Sequence, residues 1–197
     1  MPYLDERRAR VARALALTDE ILLVAAGQPV PLPEQSDQTY PFRAHADYYY
    51  LTALECPGGI VAFDPHAGDS AGWVSFVPAV TEAERVWEGR TQPPGVLFDE
   101  FPAWLAQHRG RRVLNLGAPL PHVTADCAAS AAVRERFVHA RRAKDSVEID
   151  LIRRAATATA AGYEALVAAL RPGVTERALQ VELETGFARA GGRRPGY

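Results

Sequence analysis

Gly59-Ile60-Val61-Ala62-Phe63-Asp64 and Gly72-Trp73-Val74-Ser75-Phe76-Val77-Pro78 decide the fold class of this chain. Each is a short run of β-branched, aromatic and aliphatic residues bounded by glycine, aspartate or proline, the pattern of a strand. Between them, Asp64-Pro65 and Gly68-Asp69 mark a turn. Toward the N-terminus, Glu20-Ile21-Leu22-Leu23-Val24-Ala25-Ala26-Gly27 is an apolar run closed by glycine, which fits a buried strand. Before it, residues 4–17 set Leu4, Val11, Leu15 and alanines among arginines at helical spacing. Residues 28–41 carry Pro29, Pro31, Pro33 and Pro41 and read as a loop, of a length that often serves function. Asp47 to Leu54 is rich in aromatics and predicts another strand. Toward the C-terminus, Leu97 to His108 predicts a short amphipathic helix, Arg111 to Gly117 a strand and Asp126 to Phe137 a helix. This alternation predicts an α/β domain over residues 1–140, with a mixed sheet flanked by helices.

Two longer helical patterns follow, in residues 141–197. Asp145 is placed to cap the first, with Glu148 three residues on at capping-box spacing. Its apolar face runs through Ile149, Ile152, Ala156, Thr159 or Ala160, Tyr163, Leu166 or Val167, and Leu170, and Arg171-Pro172-Gly173 breaks it. Thr175 caps the second helix, Glu176 suits its macrodipole, and Leu179, Leu183, Phe187 and Ala190 form its face. One helical pair does not bury both faces well. The expectation is therefore an incomplete second domain, with the part that carries chemistry lying beyond Tyr197.

Bulk composition narrows the function classes. The chain has 197 residues, a net charge of -2 and 48% hydrophobic residues, ordinary for a soluble globular protein. No basic surface argues for nucleic acid. The N-terminus, Met1 to Arg8, lacks the apolar run of a signal peptide, and Ile21 to Gly27 is far too short to span a bilayer. Cys56 and Cys127, without a CxxC, suggest neither a disulfide scaffold nor a zinc site. A reduced cytoplasmic protein is the simpler reading.

No local catalytic motif is present: HExxH, GxSxG, GxxxxGK[ST] and GxGxxG are all missing. The five histidines are scattered, and close carboxylates such as Glu82/Glu84 read as solvated. Three segments are denser. Ser36 to Thr52 interleaves charges with aromatics after the long loop. Glu84-Arg85-Val86-Trp87-Glu88-Gly89-Arg90 places a tryptophan beside glycine between charges, which makes either a core anchor or, on an exposed loop, a binding wall. Arg141 to Ile149 is a basic approach to a helix.

Taken in order, these segments resemble one family. Asp37, Tyr40-Pro41-Phe42-Arg43, Asp47-Tyr48-Tyr49-Tyr50-Leu51-Thr52, Phe76-Val77-Pro78 and Trp87-Glu88-Gly89-Arg90 are similar to the N-terminal domain of bacterial aminopeptidase P. These are Xaa-Pro aminopeptidases of the creatinase/prolidase, or pita-bread, metallopeptidases. Arg141-x-x-Lys144-Asp145-x-x-Glu148-Ile149-x-x-Ile152-Arg153-x-Ala155 resembles the lead-in to that group's catalytic domain. Gly191-Gly192-Arg193-Arg194-Pro195-Gly196-Tyr197 resembles the stretch before its first catalytic strands.

The resemblance implies a parent enzyme that hydrolyses the N-terminal residue from peptides with proline second. It implies two divalent cations, commonly manganese, held by carboxylates and a histidine in the pita-bread domain and activating a bridging water. All of these ligands match positions after Tyr197, so this chain is expected to bind no metal, to hold no catalytic group and to be inactive alone. By the same resemblance Trp87 lines the substrate mouth, Asp37 lies near that mouth, and Arg141 opens the catalytic domain, touching substrate or a domain interface. The implied assembly is a homo-oligomer, a dimer or tetramer. Two other readings stand beside this one: a non-catalytic oligomerisation or interaction module, and part of a prolidase- or creatinase-like hydrolase.

Overall fold

The computed structural model describes residues 2–33 and 38–193. It divides into two compact units, Met1–Arg142 and Ala143–Tyr197.

The first unit is a mixed α/β domain. Its five strands are β1 (Ile21–Ala25), β2 (Ile60–Phe63), β3 (Trp73–Val77), β4 (Val96–Leu97) and β5 (Val113–Asn115). They lie in the order β4-β3-β2-β1-β5. The central pairs are antiparallel, with Leu23 opposite Ala62 and Val61 opposite Ser75. The outer pairs are parallel, with Leu22 opposite Leu114 and Val77 opposite Leu97. Helices cover both faces, which is why β1 and β2 are buried along their whole length and read as unbroken apolar runs.

Side-chain alternation sends successive residues to opposite cores. Leu22, Val24, Val61 and Phe63 pack with Val11, Leu15, Leu51 and Phe137. These partners come from α1 (Pro2–Leu15), α2 (Ala46–Thr52) and α5 (Cys127–Ala140). Leu23, Ala25, Ile60, Ala62 and Phe76 pack against Phe101 and Trp104 of α4 (Phe101–Gln107). The β5 edge is closed by α5: Asn115 donates its backbone N–H to the Ser130 hydroxyl at 3.0 Å, and Val113 accepts from the Asp126 N–H at 2.9 Å.

The strand expected over Asp47 to Leu54 is instead helix α2. Its aromatics obey a helical rule, with Asp47, Tyr48, Tyr50, Leu51 and Thr52 buried. His45 caps it, accepting the Asp47 N–H at 3.2 Å, and Thr52 donates back to the Tyr48 carbonyl at 2.8 Å. Its final carbonyls are satisfied from α1, where Arg7 donates to Tyr50 at 2.8 Å and Arg8 to Leu51 at 2.9 Å. Those guanidiniums complement the negative end of the helix, so tertiary contacts override β-propensity here.

The second unit is a helical pair, α6 (Ser146–Ala169) and α7 (Glu176–Arg189). Both caps form as the spacing predicts. Asp145 and Glu148 make a reciprocal capping box, and Thr175 accepts from the Ala178 N–H at 3.2 Å. The helices meet through small residues: Ala158, Gly162 and Gly186 are buried. A Cβ on Gly186 would sit 2.7 Å from the Gly162 Cα. On α7 the predicted Leu179, Leu183 and Phe187 are half-buried. On α6 the predicted Ile152, Tyr163 and Val167 are exposed, as is Leu170 at its C-cap, while Leu166 is half-buried. Close packing of backbones selects the small-residue side of α6, not its bulky stripe.

Candidate functional site

Trp87 lies on a helix, α3 (Glu82–Glu88), not on a loop. Thr81 and Glu84 form a capping box at its start, and Gly89 closes it in the left-handed conformation at φ 64°. No residue of α3 is buried. Trp87 is 86% exposed and its neighbour Val86 is also exposed. Glu84 accepts from the Thr81 N–H and hydroxyl, each at 2.8 Å, and from the Arg90 guanidinium. These bonds hold its carboxyl below the usual carboxylate range, with the Thr81 N–H the largest cause.

Beside α3 lies a small cleft of about 140 Å³ lined by Cys56, Pro57, Pro78, Val80, Glu84 and Arg90. Burial pushes the Cys56 thiol above its ordinary range. That makes it a poor nucleophile at neutral pH. Both cysteines are free thiols.

Asp37 lies outside the described residues, as do Arg194 to Tyr197. The base of the loop that carries Asp37 is paired: Pro31 bridges Thr39, Leu32 donates to Gln38 at 2.9 Å and Tyr40 donates to Val30 at 2.8 Å. Exposed Val30 and Tyr40 flank that pairing.

Arg141 sits at the C-cap of α5, and its guanidinium engages Asp47 on α2. Asp47 is 5% exposed and also takes Arg134 at 3.0 Å. The Arg141 guanidinium lies 4.7 Å from the Tyr50 ring centroid and 5.6 Å from that of Phe137. Arg7 approaches Tyr50 as well, at 4.5 Å, and Arg10 donates to its hydroxyl at 2.6 Å. This is a cation–aromatic and ion-pair cluster that ties α1, α2 and α5 together. Trp87 and Arg141 thus belong to different elements.

A second charged cluster escaped the sequence reading. Asp64, after β2, takes Arg111 at 2.8 Å and the His108 ring at 3.1 Å, and caps the following turn through the His66 N–H at 3.0 Å. Arg111 reaches on to the Asp19 carbonyl at 2.6 Å. Burial alone would raise the Asp64 carboxyl, but the Arg111, His66 and His108 bonds outweigh it and hold the group below its ordinary range. No local motif announces this cluster, because its members are far apart in the chain.

Among the described residues, no group of three or more His, Cys, Asp or Glu side chains is placed to hold a metal ion. No helix in the described residues is long and apolar enough to cross a membrane.

Comparison with known proteins bears on the fold and the family. A probable Xaa-Pro aminopeptidase PEPP from Ajellomyces capsulatus (strain H143) is 23% identical over 89% of this chain and 41% of its own length. The mitochondrial intermediate cleaving peptidase 55 of Arabidopsis thaliana is 29% identical over 51% of this chain and 19% of its own. The chain spans under half the length of these curated relatives. Its fold matches Escherichia coli aminopeptidase P in its low-pH form, with a TM-score of 0.71 and 20% identity over 100% of this chain and 51% of that one. Proline aminopeptidase P II of Yersinia pestis gives 0.71 and 21% over 98% of this chain and 52% of that one. The family model for the aminopeptidase P N-terminal domain matches residues 4–104, and the chain belongs to that family.

Proposed function

We propose that this chain supplies the N-terminal domain, residues 1–140, and the opening helices of the catalytic domain, residues 141–197, of a metal-dependent Xaa-Pro aminopeptidase. The parent removes the N-terminal residue from peptides with proline second. The observation that carries this reading is agreement of fold along the whole chain with aminopeptidase P, across both compact units. In this reading two divalent cations, commonly manganese, are held by residues outside the chain. Bound there, they supply Lewis-acid polarisation and an activated water.

The chain's own part is to shape the approach to that site. The exposed indole of Trp87 forms an apolar wall suited to a proline ring. Asp37 attracts the free ammonium of the peptide. Arg141, with its guanidinium on Asp47, acts at the end of α5, where the first unit gives way to the second. We place the parent in the cytoplasm as a homo-oligomer, a dimer or tetramer.

The test is the intact mass of the native product, captured with an antibody against residues 1–140, followed by an assay with Xaa-Pro tripeptides. The expected product is about twice the 21.4 kDa of this chain, with hydrolysis lost on chelation and restored by manganese. The 197-residue chain alone is expected to take up no stoichiometric manganese and to leave the peptide intact. A native product of twice that mass that hydrolyses no Xaa-Pro peptide overturns the reading. Turnover of Xaa-Pro dipeptides only, or of creatine, reassigns the parent to the prolidase- or creatinase-like branch.

The exposed Leu151, Ile152, Tyr163 and Val167 of α6, with Leu170 at its C-cap, favour a second reading, a non-catalytic interaction module. A native product with the mass of the 197 residues supports it.

A further inference from the structure

Trp87 stands on a helix that has no tertiary core. Seven residues are too few for a helix to persist in water by its own propensity. Since no α3 residue is buried, packing does not supply the missing stability. What holds the helix is a ring of local bonds, and they converge on one residue, through both its carboxylate and its backbone. Glu84 reaches back to Thr81 twice, at the N-terminus, and forward to Arg90, just past the C-terminus. The Arg90 backbone N–H returns to the Glu84 carbonyl at 3.3 Å, and its guanidinium also lies 3.5 Å from Glu88. Thr81 completes the ring, accepting the Glu84 N–H on its hydroxyl at 3.2 Å. The segments that flank α3 are fastened separately: Gln92 accepts from the Val80 N–H at 2.9 Å and donates to the Pro78 carbonyl at 3.1 Å. The chain is therefore anchored on both sides of α3, while the helix between depends on Glu84.

We propose that Glu84, bracketed by Thr81 and Arg90, is the positioning residue for Trp87: it keeps α3 folded and so holds the indole at the substrate mouth. The second half rests on the reading of Trp87 given above, and the first half does not.

The first test is hydrogen exchange over residues 82–88 in the 197-residue chain. It is joined by the fluorescence anisotropy of Trp87, isolated as the difference from Trp87→Phe because Trp73 and Trp104 also emit. Glu84→Ala is expected to speed exchange in this segment at least tenfold and to lower the Trp87 anisotropy, with exchange in β2 and β3 unchanged. Glu84→Gln keeps a capping-box side chain, and its exchange is expected to stay within about threefold of the parent. Unchanged exchange and anisotropy in Glu84→Ala overturn the proposal, and so does loss of protection throughout the first unit.

The second test uses the longer native enzyme with a Xaa-Pro tripeptide. Trp87→Ala and Glu84→Ala are each expected to raise KM by a similar factor, and the double variant no further. If Glu84→Ala frees α3 but Trp87→Ala leaves KM and kcat alone, the substrate-mouth reading fails and takes the second half of the proposal with it. If Trp87→Ala raises KM and Glu84→Ala does not, the positioning role fails and the reading of Trp87 stands.

Discussion

Asp47 shows how much one residue carries. Its carboxylate is buried, and Arg134 and Arg141 converge on it from α5. The two arginines keep part of their side chains in solvent, 44% and 29% exposed, so removing Asp47 loses charge-assisted hydrogen bonds without stranding a buried cation. Asp47→Ala is expected to cost about 2 kcal/mol in stability, read from the midpoint of denaturant unfolding. Asp64 makes a different prediction because its pKa is depressed in the folded state. Its contribution is full above the ordinary carboxylate range, near pH 4, and is lost as pH falls through the depressed folded value. Asp64→Asn is therefore expected to melt lower than the parent at pH 7, with the gap closing as the pH falls below the ordinary carboxylate range, near pH 4. A gap that stays constant with pH removes this account. Neither cluster was legible in the sequence. Asp64 meets Arg111 across 47 positions and Asp47 meets Arg141 across 94, distances that only the sheet topology brings together.

At the scale of elements, periodicity served where burial follows it and misled where partners override it. The apolar runs of β1 and β2 were legible because both faces of each are covered. The two capping signals of the second unit were legible because a cap is a contact between residues three apart. The same spacing at Thr81 and Glu84 marks the start of α3. For α2 the aromatic run Tyr48-Tyr49-Tyr50 pointed to a strand, while the arginines of α1 that stabilise its helical end lie 43 positions away. The crossing of α6 and α7 gives the prediction at this scale. Gly186→Ala puts a methyl group against the Gly162 Cα and the Ala161 carbonyl, and α6 and α7 backbones cannot give way cheaply. The expected cost is about 2 kcal/mol, confined to faster hydrogen exchange in α6 and α7.

For the whole molecule, the exposed apolar residues of α6 set the expected solution behaviour. Ile152, Tyr163, Val167 and Leu170 are each more than half exposed. An exposed apolar set of this kind binds hydrophobic dyes or promotes association. The isolated chain is expected to bind such a dye or to self-associate, and Ile152→Lys with Val167→Lys to reduce either effect. A monomer that binds no dye would show that these side chains are covered in solution.

The α/β class, the central strands, the caps of the two long helices and the ordered set of segments that resembles aminopeptidase P are all legible in the residues alone. These are local properties, written in residues a few positions apart. That Asp47 to Thr52 is helical, that Arg141 closes on a buried carboxylate and that Trp87 stands exposed on a helix came from the folded chain. The first two depend on partners from distant elements, and the third depends on the absence of any core beneath α3. Pairing between distant residues and the lack of burial are both set by the folded chain, so no reading of neighbouring residues reaches them.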